Sequence, residues 1–78
     1  MTWKLFISEM ENLLEVDAGT LNQEMALDDL PSWNSMAAIG FIAWADRTQR
    51  VAVDPQDLAN CKSLVALAKL VNITPGTP

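Results

Sequence analysis

Trp33-Asn34-Ser35-Met36-Ala37-Ala38-Ile39-Gly40-Phe41-Ile42-Ala43-Trp44-Ala45 is the stretch on which the fold turns. Asn34 and Ser35 are helix-starting residues, because a short polar side chain can accept a bond from a free N–H of the first turn. Ten residues without a charge follow, until Asp46. The reading is a helix from Ser35 to about Gln49, and a helix apolar nearly all round is normally central. A chain of 78 residues cannot cover such a helix on every side, so part of its surface is expected to face a partner. Gly40 costs about 1 kcal/mol of helix propensity relative to Ala, which calls for close packing or close approach at that point.

Upstream of this helix the periodicity lapses. Asp17 to Asn34 contains Gly19, Pro31 and a series of Asp, Asn and Ser residues, all turn formers or helix interrupters. Leu21, Met25, Leu27, Leu30 and Trp33 punctuate it, so an ordered loop anchored to the body is expected rather than a free linker. Before the loop, Trp3, Phe6, Met10, Leu13 and Leu14 recur at spacings of three and four. That spacing predicts an amphipathic helix over about Trp3 to Val16, capped by Thr2. Glu9, Glu11 and Glu15 are read on its solvated faces.

Downstream, Val51-Ala52-Val53 reads as an extended connector with its valines inward. Asp54 caps a short helix with Pro55 at its first position, ending near Cys61. Ser63 caps a last helix carrying Leu64, Leu67, Ala68, Leu70 and Val71. The expected architecture is all-α: three main helices and one short one in a four-helix bundle with a long first loop. Residues 1–73 form a single domain, with a flexible tail over 74–78.

Composition removes several function classes. The net charge of −5 opposes binding to nucleic acid, whose phosphates demand a basic face. No apolar run reaches the length of a membrane span, and no signal-type segment is read at the N-terminus. Histidine is absent, and with it the commonest general base and metal ligand. No metal-ligand or glycine-rich phosphate motif appears either, so the chain is not expected to be an enzyme. Cys61 is the lone cysteine, which leaves no internal disulfide and fits a cytoplasmic location. It is read as a small, partly buried residue at a helix end.

Ser35 is the one nucleophile at a start of a long helix. As an isolated feature it is more often a cap than a reactive group. Without histidine it has no activating base of its own, so any chemistry there must come from another enzyme. A phosphodiester at this position would meet free backbone N–H groups and the positive end of the helix dipole.

Over residues 3 to 71 the order of elements resembles that of acyl carrier proteins. The family places Asp-Ser-Leu, often Trp-Asp-Ser-Leu, at the start of its second helix; here it stands as Trp33-Asn34-Ser35-Met36. Val51 to Leu58, followed by Lys62-Ser63-Leu64, is similar to the family's connector, third helix and start of the fourth. The resemblance implies that Ser35 attacks the β-phosphate of coenzyme A in a separate, magnesium-dependent phosphopantetheinyl transferase. The resulting 4′-phosphopantetheine arm carries acyl or aminoacyl groups as thioesters. Partners implied are that transferase and acyl- or aminoacyl-transferring and synthase enzymes of a specialised polyketide, fatty-acid-like or aminoacyl pathway, with the carrier a monomer. The alternative is an unmodified, carrier-like interaction module that docks through its apolar second helix.

Two departures from the family stand out. Asn34 replaces the usual Asp, which preserves capping but removes a charge that a transferase reads; slower or more specialised modification is the expected consequence. Acids are also missing along the second helix, where Ala37 and Gly40 occupy the corresponding positions. Through Asp29 the chain holds seven acids against Lys4, net −6, and from Leu30 onward three acids against four bases, net +1. Asp28 and Asp29, a few residues before Ser35, are therefore read as steering partners toward it, beside the plainer reading of a solvated face. The family's phase puts Ala38, Phe41, Ile42 and Ala45 in the core. Met36, Ala37, Gly40, Ala43, Trp44 and Arg47 then form an apolar recognition face anchored by Trp44, unless Trp44 packs under the loop or on the last helix. Trp33 is read as holding the loop beside Ser35.

Overall fold

Thr2 opens the first helix, its hydroxyl accepting a bond from the Leu5 N–H at 3.2 Å. In the computed structural model, which describes residues 1–74, this helix (α1) spans Trp3–Leu14. Glu15 ends it in the left-handed region (φ 57°), its N–H turned back to the Asn12 and Glu11 carbonyls, so the helix stops short of Val16. Phe6, Met10 and Leu14 are buried, and Trp3 and Leu13 pack half-buried against the core, as the spacing predicts.

Glu11 departs from expectation. It is buried, and its Oε2 accepts the N–H groups of Gly19 at 2.8 Å and Leu21 at 3.2 Å. The carboxylate takes up two backbone donors that the turn at the foot of the loop would otherwise leave open. Gly19 lies at φ +88°, where a side chain would be strained. From there Leu21, Leu27 and Leu30 are buried, so the long loop is anchored. A single 3-10 turn, Leu27–Asp29, interrupts it. Leu27 N–H bonds to the Lys62 carbonyl at 2.9 Å, and the Ala26–Ser63 bridge beside it ties the loop to the connector before the last helix.

The central helix (α2) spans Ser35–Trp44 and runs on into a wider π-helical turn, Ala45–Gln49. The predicted end at Gln49 is therefore reached, but with a changed winding. Arg50 closes the turn in the left-handed region, its N–H bonded to the Ala45 carbonyl. Val51 is half-buried, Ala52 exposed and Val53 buried, the alternation of an extended strand-like connector. The short helix (α3) spans Pro55–Ala59, with Asp54 Oδ1 accepting from Gln56 N–H at 2.8 Å; only Leu58 of it is buried. The last helix (α4) spans Leu64–Leu70, capped by Ser63 Oγ on the Ala66 N–H at 3.2 Å. Val71 and Ile73 close the base of the core. Of the tail expected over 74–78, all but Thr74 lies outside the described residues.

The architecture is all-α, four helices around one core, with no strand among the described residues. None of these helices is long and apolar enough to cross a membrane. At the centre Phe41 and Trp44 meet with ring centroids 5.7 Å apart, and Phe6 meets Trp44 at 5.8 Å. Gly40 faces α1, where a Cβ would stand 3.0 Å from Leu13 Cδ1. Close helix packing is thus the reason for glycine at this position.

Candidate functional site

Asn34 leaves the loop in an extended conformation and caps α2, its Oδ1 accepting the Ala37 N–H at 3.0 Å. Because the neighbour is the cap, the Ser35 hydroxyl is not engaged in capping. Ser35 is the first residue of α2 and is exposed. Its placement rests on Trp33, half-buried and packed edge-on against Phe41 at 6.3 Å. Leu30 N–H bonds to the Leu27 carbonyl, and Trp33 N–H to that of Leu30, each at 3.0 Å. These bonds carry the loop into the helix start in a fixed path.

Ser35 opens onto a cavity of about 420 Å³ between the loop, α2 and α3. Leu27, Trp33, Ala38, Ile39, Ile42 and Leu58 supply apolar walls, while Asp28 and Lys62 bring charge to its lining. The volume falls in the ordinary range of small-molecule sites, and apolar walls with few polar groups are their usual composition. A second cavity of about 370 Å³ follows along α2, lined by Ile39, Ile42, Ala43, Asp46, Ala52 and Val53.

Asp28 and Asp29 are both exposed on the 3-10 turn, and the structure brings Asp28 to the same cavity as Ser35. Cys61 lines it as well. Its Sγ donates weakly to the Asp57 carbonyl at 3.5 Å, and partial burial, then the charge of Asp57, push its thiol above the ordinary range. The thiolate is the reactive form, so this environment disfavours Cys61 as a nucleophile. Among the described residues no cluster of acids, His or Cys is placed to hold a metal ion.

The recognition face expected on α2 is only partly where the sequence reading put it. Met36 is 76% exposed and Ala43 is exposed. Trp44, read as the anchor of that face unless it packs inside, is buried at 6% exposure among Phe6 and Phe41. Ala37 and Gly40 are half-buried and turned toward the core side. The buried stripe is Phe41, Trp44 and Ala45, while Ala37, Ala38 and Ile42 pack half-buried against the core and Ala38 and Ile42 also line the cavity. Ile39, absent from the expected set, is 63% exposed. The exposed apolar line is therefore Met36, Ile39 and Ala43, at the spacing of one helix face. In a helix apolar all round, the pattern itself supplies no phase. The one available signal was Gly40, whose missing side chain marks the side that touches another helix.

Comparison with family models, with curated proteins and with solved structures finds no match for this chain.

Proposed function

We propose that the protein is a carrier, bearing acyl or aminoacyl groups as thioesters on a 4′-phosphopantetheine arm attached to Ser35, in a specialised biosynthetic pathway of the cytoplasm. One observation carries this reading. Ser35 is exposed at the start of α2, released from capping by Asn34, and opens onto an apolar cavity. The residues fit such an arm. Ser35 is its attachment point, free N–H groups at the α2 terminus suit its phosphodiester, and Trp33, Ala38, Ile42 and Leu58 offer an apolar bed. When bound, the arm supplies the thiol that forms the thioester.

The Ser35 hydroxyl attacks the β-phosphate of coenzyme A in the transferase's site. A phosphodiester to Oγ forms, the bond to the nucleotide half breaks, 3′,5′-ADP leaves, and the hydroxyl proton passes to the transferase's base. The carrier contributes no general base and positions the nucleophile only. Met36, Ile39 and Ala43, with Asp28 and Asp29 on the loop that leads to α2, form the surface offered to the transferase and to the enzymes that load and unload the arm. Aromatic or aliphatic anchors ringed by charge are the usual composition of such contacts.

The exposure of Met36 and Ile39 also favours a second reading, an unmodified interaction module docking through α2. The two are separated by intact mass after incubation with coenzyme A, magnesium and a broad-specificity transferase. A gain of one phosphopantetheine, absent in Ser35→Ala, supports the carrier. An unchanged mass under conditions that load a control carrier rejects it.

A further inference from the structure

Met36, Ile39 and Ala43 form an exposed apolar line on α2, with Met36 76% and Ile39 63% exposed. Two cavities flank this line in series, and Ile39 belongs to the walls of both. A projecting ridge beside a groove is the surface on which a second helix packs. The line has two unlike ends about Ile39, the long Met36 toward the helix start and the small Ala43 toward its end. Charge has the same two-ended arrangement. At the Ser35 end, exposed Asp28 and Lys62 border the first cavity; at the other end, exposed Asp46 borders the second. Arg47 and Arg50 are exposed where the π-helical turn closes the helix. Each end therefore holds both an acid and a base.

We propose that this face is the interface of a homodimer, in which two copies pack α2 on α2, antiparallel, about a two-fold axis at Ile39. The occupant is a second copy because the surface complements itself when turned end for end, the condition an isologous contact must meet. Ile39 meets Ile39 of the other copy at the axis. Met36 of each lies over Ala43 of the other, at the rim of the second cavity, where an adaptable thioether fills the space left by small side chains. Lys62 comes to Asp46 of the other copy, and Asp28 to the end that carries Arg47 and Arg50. One face of a ten-residue helix buries less area than a permanent dimer needs, so the pair belongs to the weak, transient class and dissociates on the order of 100 μM. The monomer expected from the family resemblance is its dissociated form. The proposal stands on the exposed face and not on the carrier reading, and it holds with Ser35 modified or unmodified. A second copy and an enzyme bound at this face exclude one another.

The test is sedimentation equilibrium of the full chain at rising concentration and low salt, where charge pairs are least screened. The average mass is expected to climb from one chain and level at two. Ile39→Glu sets two carboxylates against each other at the axis and weakens association about tenfold or more, with the melting temperature kept. Met36→Glu, at the more exposed position, does the same should Ile39→Glu fail to fold. Asp46→Lys and Lys62→Asp each weaken association several-fold, because like charges then meet at both ends of the pair. Mixed in equal amounts, these two variants recover the native association, since every charge pair in the mixed dimer is again opposite. A chain that stays single up to roughly millimolar concentration overturns the proposal, as does growth past two copies. So does a dimer that is indifferent to the folded glutamate variant, or a mixture that associates no more tightly than its components. Transferase loading of Ser35 scores the carrier reading separately. A dimer without loading removes the carrier reading alone, and loading of a chain that never pairs removes the dimer alone.

Discussion

Glu11 and Trp44 are the two residues whose roles changed most between sequence and structure, and each has a physical cause. A helical wheel puts Glu11 beside Met10 and Leu14 but cannot show that its carboxylate meets two backbone donors eight and ten residues on. Bonds to a charged acceptor contribute more than neutral ones. Glu11→Ala is expected to lower stability by on the order of 3 kcal/mol, with the Gly19 and Leu21 donors left open. Glu11→Gln keeps an oxygen in place and costs about 1 kcal/mol; urea melts of the two variants check the ordering. For Trp44 the sequence leaves two readings open, partner anchor or interior packing, and the fold makes it the middle of the aromatic cluster. Its Nε1–H is buried with no hydrogen-bond partner among the described residues. Trp44→Ala therefore costs about 3–5 kcal/mol as a cavity mutation, most of the stability of a domain this small. In Trp44→Phe the lost area is offset by removal of an unpaired donor that itself costs about 1–3 kcal/mol, so that variant stays close to the native melting temperature. Cys61 adds a pH dependence. Its thiol titrates above the ordinary range in the fold, so the unfolded chain loses its proton first. The contribution of this group to stability is constant below the ordinary thiol range and falls as pH rises through it. Alkylation of native Cys61 should accordingly lag behind that of a free thiol at mildly alkaline pH and match it after unfolding.

At the scale of elements, the caps and boundaries were legible because they depend on neighbours in sequence. Thr2, Asn34, Asp54 and Ser63 each accept the N–H that their position at a helix start predicts. The rotation of α2 was not legible, since it depends on which neighbours α1 and α3 present. With Phe41, Trp44 and Ala45 inward, the exposed apolar face of α2 is Met36, Ile39 and Ala43, with the half-buried Ile42 at its edge. Ile39→Glu alone or with Met36→Glu should leave the melting temperature within a few degrees, because exposed positions away from caps and cores change stability by no more than about 0.5 kcal/mol. On the proposed carrier reading, charge placed in an apolar contact that becomes desolvated weakens binding by about 1.4 kcal/mol or more, tenfold in the transferase's KM. An unchanged KM would move the contact surface elsewhere. Gly40 makes the opposite prediction, because its side of α2 touches α1. Gly40→Ala gains helix propensity of about 1 kcal/mol while its Cβ meets the tip of the half-buried Leu13 side chain at 3.0 Å, so the two effects oppose each other. Gly40→Val adds branches to the same contact and lowers the melting temperature through α1–α2 separation, without a first effect on Ser35.

Over the whole molecule the charge is divided rather than spread, net −6 through Asp29 and net +1 beyond it, and the fold brings the boundary between the two regions to the Ser35 cavity through Asp28. The total charge was readable from composition, and the split from the order of residues. That Asp28 and Ser35 share one cavity required the loop to be placed. The loop is held at three points along its length: Glu11 under Gly19 and Leu21, the Lys62 carbonyl on Leu27, and Phe41 against Trp33. A loop held in this way keeps Asp28 at the cavity that Ser35 lines, where its field would attract a basic surface. On the proposed carrier reading, Asp28→Asn with Asp29→Asn should slow transferase association several-fold at low ionic strength, and the difference from the native chain should vanish near 1 M salt, where the screening length is about 3 Å. A difference that persisted at high salt would instead mean direct contact. The same anchoring makes a prediction about motion. The Leu21 and Leu27 amides are bonded to groups on α1 and on the α3–α4 connector, so they open only when those elements separate. Their hydrogen exchange should therefore proceed with nearly the free energy of global unfolding, as for the core of α4, whereas an exposed amide of the same loop such as Gln23 exchanges orders of magnitude faster. In Glu11→Ala, protection of Leu21 should drop toward that of Gln23 while Leu27, still bonded to Lys62, follows only the change in global stability. Equal loss at both amides would show that the loop is held as one unit, with the Glu11 bonds and the Lys62 bond acting together.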